Sequence, residues 1–162
     1  MRHFQSLACA CVLALAAAAA PIASVAAGAP VAQAQPTVVV HKSPNCGCCN
    51  GWVEHMRGNG FVVEVRDHAD GELSAIKARL GVPAQGQSCH TAEVAGYVVE
   101  GHVPAADVKR LLDEAPPVRG LVLPGMPAGS PGMEMPDGRV QPYTVWQLDR
   151  DGRVSAFAQH GH

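Results

Sequence analysis

Hydrophobic and polar positions alternate along this chain in short, well-punctuated blocks. Thr37-Val38-Val39-Val40-His41 is a β-branched run, stopped by Lys42-Ser43-Pro44-Asn45, and predicts a buried strand. Cys49, Val53 and Met56 then fall at i, i+4 and i+7, one apolar face of a helix with Trp52 beside it. Gly58-Asn59-Gly60 ends that helix. Phe61 to Arg66 predicts a second strand. Leu73, Ile76 and Leu80 mark a second helix, closed by Gly81 and Pro83. A polar loop, Ala84 to Ser88, leads to Cys89-His90. Thr91 to Glu100 predicts one or two strands before the turn at Gly101. Pro104 opens a third helix carrying Val108, Leu111 and Leu112, and Pro116-Pro117 closes it.

The predicted order is β-α-β-α-β-β-α, with a cysteine motif just after the first strand. Helices between strands argue for a partly parallel sheet. The expected class is α/β with a thioredoxin-like core over 37–116; another small α/β sandwich is the alternative. The extension, 117–158, has a different texture. Gly120 to Gly138 is rich in Gly and Pro and holds Met126, Met133 and Met135, which predicts a long loop. Tyr143 to Leu148 and Val154 to Ala158 flank Asp151-Gly152, a hairpin signal. Gln159 to His162 is expected to fray.

The first 34 residues read differently again. A short start with one basic side chain, Arg2, precedes the uncharged, Ala-rich run Leu7 to Ala20 and then a series of small residues. This predicts a secretory signal peptide, cleaved after Ala34 or after Ala27. A transmembrane anchor fits less well, because the run is short and Pro21 interrupts it. Ser6-Leu7-Ala8-Cys9 lies before the apolar run, on the wrong side for a lipoprotein cleavage box. The mature domain, 35–162, is therefore expected outside the cytoplasm, in an oxidising compartment and free of the membrane.

Composition supports a globular chain and limits its partners. Of 162 residues, 48% are hydrophobic and 16% charged, and the formal net charge is -2. No basic footprint for nucleic acid exists. The unusual count is six Cys and eight His. Cleavage after Ala34 removes Cys9, Cys11 and His3, leaving four Cys and seven His.

Three of the remaining thiols crowd into Cys46-Gly47-Cys48-Cys49 and the fourth is Cys89. Skipping Cys48, the motif is C-x-x-C at a strand-to-helix turn, where the helix N-terminus stabilises a thiolate. That is a thiol–disulfide oxidoreductase reading using Cys46 and Cys49. Taken whole, four thiolates in one pocket repel unless cations lie between them, and soft thiolates favour Cu(I), zinc or iron–sulfur. Structural zinc usually takes two separated ligand pairs, and ferredoxin spacing is absent. Crowded thiolates suit a bridged, polynuclear Cu(I) site. A pair of structural disulfides is a third reading. Met126, Met133 and Met135 are soft thioethers in a loop that offers no helical core stripe, and His41 and His90 flank the cysteines; these five are secondary candidate ligands. His55 and His68 read as solvated.

Cys46-Gly47-Cys48-Cys49, Ser88-Cys89-His90-Thr91, Gly96-Tyr97, Glu100-Gly101-His102-Val103-Pro104, Leu123-Pro124-Gly125-Met126-Pro127 and Gly129-Ser130-Pro131-Gly132-Met133-Glu134 together resemble the CopG-like family. These are periplasmic copper-resistance proteins of Gram-negative bacteria. The resemblance spans roughly residues 37 to 158. It implies a thioredoxin-like fold, copper bound through Cys46, Cys48, Cys49 and Cys89, and a role in copper handling, with Cu(I)/Cu(II) cycling and other periplasmic copper proteins as partners.

Overall fold

The computed structural model describes residues 36–162; the signal-peptide reading falls outside the described residues. β1 (Val38–Lys42), α1 (Gly47–Gly58), β2 (Val63–Asp67), α2 (Asp70–Arg79), β3 (Thr91–Val94), β4 (Tyr97–Glu100) and α3 (Ala105–Glu114) follow in the expected order. Then come β5 (Gly120–Val122), β6 (Tyr143–Leu148) and β7 (Val154–His160). All seven strands join one mixed sheet, ordered β2-β1-β3-β4-β5-β6-β7. β1 pairs in parallel with β2, and β4 with β5; the other neighbours are antiparallel.

The core follows from the side-chain periods. Val38 and Val40 on β1, Ala92 and Val94 on β3, Val99 on β4 and Leu121 on β5 point to one face. Trp52, Val53 and Met56 of α1 and Val108 and Leu111 of α3 pack on it. Trp52 is fully buried and donates its indole N–H to the Val103 carbonyl at 2.8 Å, which ties α1 to the segment entering α3. Leu73 and Ile76 of α2 are buried outside this cluster, as are Val98, Val122 and Leu148. Val98 and Val122 alternate with Val99 and Leu121, so they belong to the opposite face.

Two expectations need correction. The segment beginning at Gly120 is not loop throughout, because Gly120–Val122 is a fully buried strand between β4 and β6. Three residues bounded by Gly and Pro carry no periodic signal of their own. Pairing on both sides makes the strand, and the hairpin β6–β7 thereby extends the main sheet. The tail is also shorter than expected. Gln159 and His160 pair with Thr144 and Tyr143, and His160 Nε2 lies 2.7 Å from Asp107 on α3. Among the described residues no helix is long and apolar enough to cross a membrane.

Candidate metal centre

The chain leaves β1 at Lys42, turns at Pro44-Asn45 and enters α1 with Cys46 as its N-cap residue. The Cys46 N–H donates to the Ser43 carbonyl at 3.1 Å, closing the turn. Cys48 and Cys49 occupy the first helical turn. Spacing by three puts Cys46 and Cys49 on the same side. Here they form a disulfide with Cα atoms 5.3 Å apart. Cys48 and Cys89 are free thiols, both half-buried. Cys48 Sγ stands 3.4 Å from Cys46 Sγ, 3.7 Å from Cys89 Sγ and 3.8 Å from Met126 Sδ. The four cysteine sulfurs all lie within 4.8 Å of one another.

Cys89 reaches this point from the far side of the fold. The polar loop after α2 makes one 3-10 turn, Ala84–Gly86, and a buried ion pair then fixes Ser88. Lys77 Nζ donates to Glu100 Oε1 at 2.6 Å and to the Ser88 carbonyl, while the Ser88 N–H donates to the same Glu100 oxygen at 2.7 Å. Burial raises the Glu100 carboxyl above its usual range, against the opposing pull of the Lys77 ammonium and those hydrogen bonds. Two buried charges thus clamp the backbone one residue before the thiol.

Burial also pushes the Cys89 thiol up to about 12, and the neighbouring Cys48 adds to the rise. A positive ion between the two sulfurs would reverse both effects.

Two imidazoles complete the pocket floor. His102 Nδ1 lies 2.8 Å from the Pro131 carbonyl, which can only accept, so Nδ1 carries the proton. Its Nε2 lone pair then faces Cys89 Sγ at 3.0 Å. This second-partner arrangement is the one that orients a metal-binding histidine. His90 Nδ1 lies 3.5 Å from the same sulfur, and its ring is buried between Trp52 and His102. His90 Nε2 has no hydrogen-bond partner. Burial lowers the pKa of both rings, His90's well below the usual value, which keeps them neutral and able to donate a lone pair. Cys89, His90 and His102 form a second group of converging donors that shares its thiol with the first.

The Met loop covers one side. Gly132 packs against the first turns of α1; a Cβ there would meet Trp52 N at 2.6 Å, and one on Gly51 would meet Gly132 Cα at 2.8 Å. Backbone-to-backbone contact of this kind needs glycine on both partners. It seats the loop so that Met126, half exposed, hangs beside Cys48. Met133 is partly buried and Met135 exposed, and no sulfur contact brings either to the cysteines among the described residues. His41 is directed elsewhere, to His68 and Glu93. His55 is not simply solvated: its Nε2 accepts the Ala105 N–H at 3.0 Å and caps α3. His102 carries no local sequence signal that marks it as a ligand. It stood inside a recognisable motif, but nothing local joins a residue 13 positions after Cys89 to that thiol.

Residues 86–133 match a family model described as a protein of unknown function, DUF411. A solved structure named copper resistance protein CopG, form 1, is 47% identical, covers 79% of this chain and 99% of its own, and superposes with a TM-score of 0.72. The chain belongs to the CopG family. Form 2 of the same relative gives 47% identity, 78% and 98% coverage and a TM-score of 0.70. Both alignments span nearly the whole relative, so the family likeness extends well beyond the DUF411 segment. No curated protein matches significantly.

Proposed function

We propose that this chain binds copper for copper resistance, holding Cu(I) through Cys46, Cys48, Cys49 and Cys89 in a thiolate-bridged site of more than one ion. The observation that supports this reading best is the convergence of four cysteine sulfurs within 4.8 Å, two of them joined in a disulfide. Such crowding forces thiolates to share cations, and thiolate selects soft ions. The CopG relative is named for copper resistance, which favours copper among the soft metals. His102 Nε2 and Met126 Sδ are the added donors, Met126 receiving copper at the exposed edge and His102 holding it beside Cys89. Two electrons and two protons from an external dithiol, which is itself oxidised to a disulfide, would open the Cys46–Cys49 disulfide and free the full sulfur set. The fold is read as thioredoxin-like, with 1–34 an export signal and 35–162 a periplasmic domain that exchanges copper with other periplasmic proteins.

Titration of reduced protein with Cu(I), followed by metal analysis, tests this. The expected stoichiometry exceeds one and falls in Cys89→Ser. A stoichiometry of one or less that Cys89→Ser leaves unchanged refutes the bridged site.

A second reading rests on the disulfide itself, which joins a C-x-x-C pair at a helix N-terminus. A thiol–disulfide oxidoreductase using Cys46 and Cys49 would keep its exchange activity in Cys48→Ser and Cys89→Ser. Copper binding needs all four thiols, so these two variants separate the readings.

A further inference from the structure

A second cluster of donors lies away from the sulfur pocket. His41 alternates with Val40, so it projects from the face of the sheet opposite the α1 core. Its Nδ1 faces His68 Nε2 at 2.9 Å. His68 follows β2, where its N–H donates to the Lys42 carbonyl at 2.9 Å. Each ring has a carboxylate on its outer nitrogen. Glu93 Oε1 is 3.2 Å from His41 Nε2, and Glu72 Oε1 is 2.9 Å from His68 Nδ1. His41 is almost completely buried and the His68 side chain is 13% exposed.

Proton counting makes this row unusual. A carboxylate only accepts, so each outer nitrogen carries a hydrogen. Two neutral imidazoles have then used their protons, and the inner nitrogens face each other with bare lone pairs. Those lone pairs need a third cation between them, either a shared proton or a metal ion. The position opposite His41 in the β1–β2 register is Arg66, whose guanidinium is engaged by Glu64 at 2.8 Å.

The ring geometry selects the metal class. The centroids are 5.1 Å apart, close to the nitrogen separation plus two ring radii, so the rings meet nearly head-on. A tetrahedral ion such as Zn(II) and a tetragonal ion such as Cu(II) each need four or more ligands, and only two nitrogens converge here. Head-on lone pairs suit linear, two-coordinate binding, the preference of monovalent d10 ions. We propose that His41 Nδ1 and His68 Nε2 form a second site, separate from the cysteines, for one monovalent soft ion, Cu(I) or Ag(I). Two metal–nitrogen bonds of about 2 Å span about 4 Å, so the rings must part by about 1 Å. His41 is fixed in a central strand, and His68, in the turn between β2 and α2, makes that movement. Glu72 and Glu93 hold the outer N–H groups and raise the basicity of the inner nitrogens, the arrangement that supports metal-bound histidine elsewhere.

The test uses reduced full-length mature protein and Ag(I), which has no redox chemistry to confuse the count. After the thiols are filled, one further equivalent is expected to shift the 15N resonances of His41 Nδ1 and His68 Nε2. His68→Gln should bind one equivalent fewer while its thiol count stays the same. Glu72→Gln, which keeps both rings, should weaken that last equivalent about 10- to 100-fold. Equal Ag(I) counts in wild type and His68→Gln, or inner-nitrogen resonances that respond to pH and not to Ag(I), overturn the proposal. The wild-type 15N spectra and Glu72→Gln decide the matter even if His68→Gln fails to fold. Because the readout is residue-specific, failure here leaves the cysteine reading standing, and failure of the cysteine count leaves this site measurable.

Discussion

Lys77→Met removes the cation from the buried Lys77–Glu100 pair while keeping most of the apolar stem. Lys77 is 4% exposed and Glu100 fully buried. Glu100 Oε1 loses the ammonium at 2.6 Å and keeps only the Ser88 N–H, and Glu100 Oε2 already lacks a partner. Breaking one side of a buried pair costs about 3–5 kcal/mol. Protonation sets a ceiling on the charge part. With an ordinary carboxyl value of 4.5, neutralising Glu100 at pH 7 costs about 3.4 kcal/mol, and at pH 5.5 about 1.4 kcal/mol. The variant should therefore be about 3 kcal/mol less stable at neutral pH. The sign of the pH dependence follows from linkage. Losing the ammonium raises the folded-state Glu100 pKa further above its unfolded value. The folded variant then binds more protons than the unfolded chain, and its stability falls as pH rises above about 4.5. Urea denaturation of reduced wild type and variant from pH 5 to 7 measures both effects. A loss below about 1 kcal/mol at pH 7, or one that does not shrink toward pH 5, refutes the claim that Glu100 is held ionised by Lys77. The double variant Lys77→Met/Glu100→Leu should recover most of the loss, since it removes both charges.

Three further outcomes follow from the same geometry. Gly51→Ala brings a methyl to 2.8 Å from Gly132 Cα, so the Met loop must lift. Stability should fall by about 1–3 kcal/mol and Cu(I) affinity should fall with it, read by urea denaturation and competitive chelation. With its pKa pushed up to about 12 from 9.0, the Cys89 thiol should alkylate about 1000-fold more slowly than an ordinary cysteine at pH 8. Its rate should keep rising through pH 10, as mass spectrometry of quenched time points will show; a plateau near pH 9 contradicts it. Trp52→Phe strands the buried Val103 carbonyl and should cost about 1–3 kcal/mol, measured by thermal or urea unfolding.

Much of this molecule is written in local sequence. The apolar face of α1, the β-branched run of β1 and the Asp151-Gly152 turn are short-range patterns, and each appears where its period places it. The three clustered cysteines are equally local, because a helical turn must hold residues three apart on one side. Cys89 was legible as a fourth thiol by composition, and the sheet order then brought it to the others.

The remainder depends on chain crossing, which no local period encodes. β5 exists because β4 and β6 flank three residues with no strand signal of their own. His102 meets Cys89 because Gly101 turns the chain at the end of β4 and the Pro131 carbonyl fixes the ring. His41 looked like a neighbour of the cysteines in sequence, yet the pleat sends it to the opposite face, to His68 and Glu93. Local patterns account for the helices, for most of the strands and for the supply of soft donors. Which donors converge depends on the fold, because long-range packing and buried charge pairs set the distances between residues far apart in the chain.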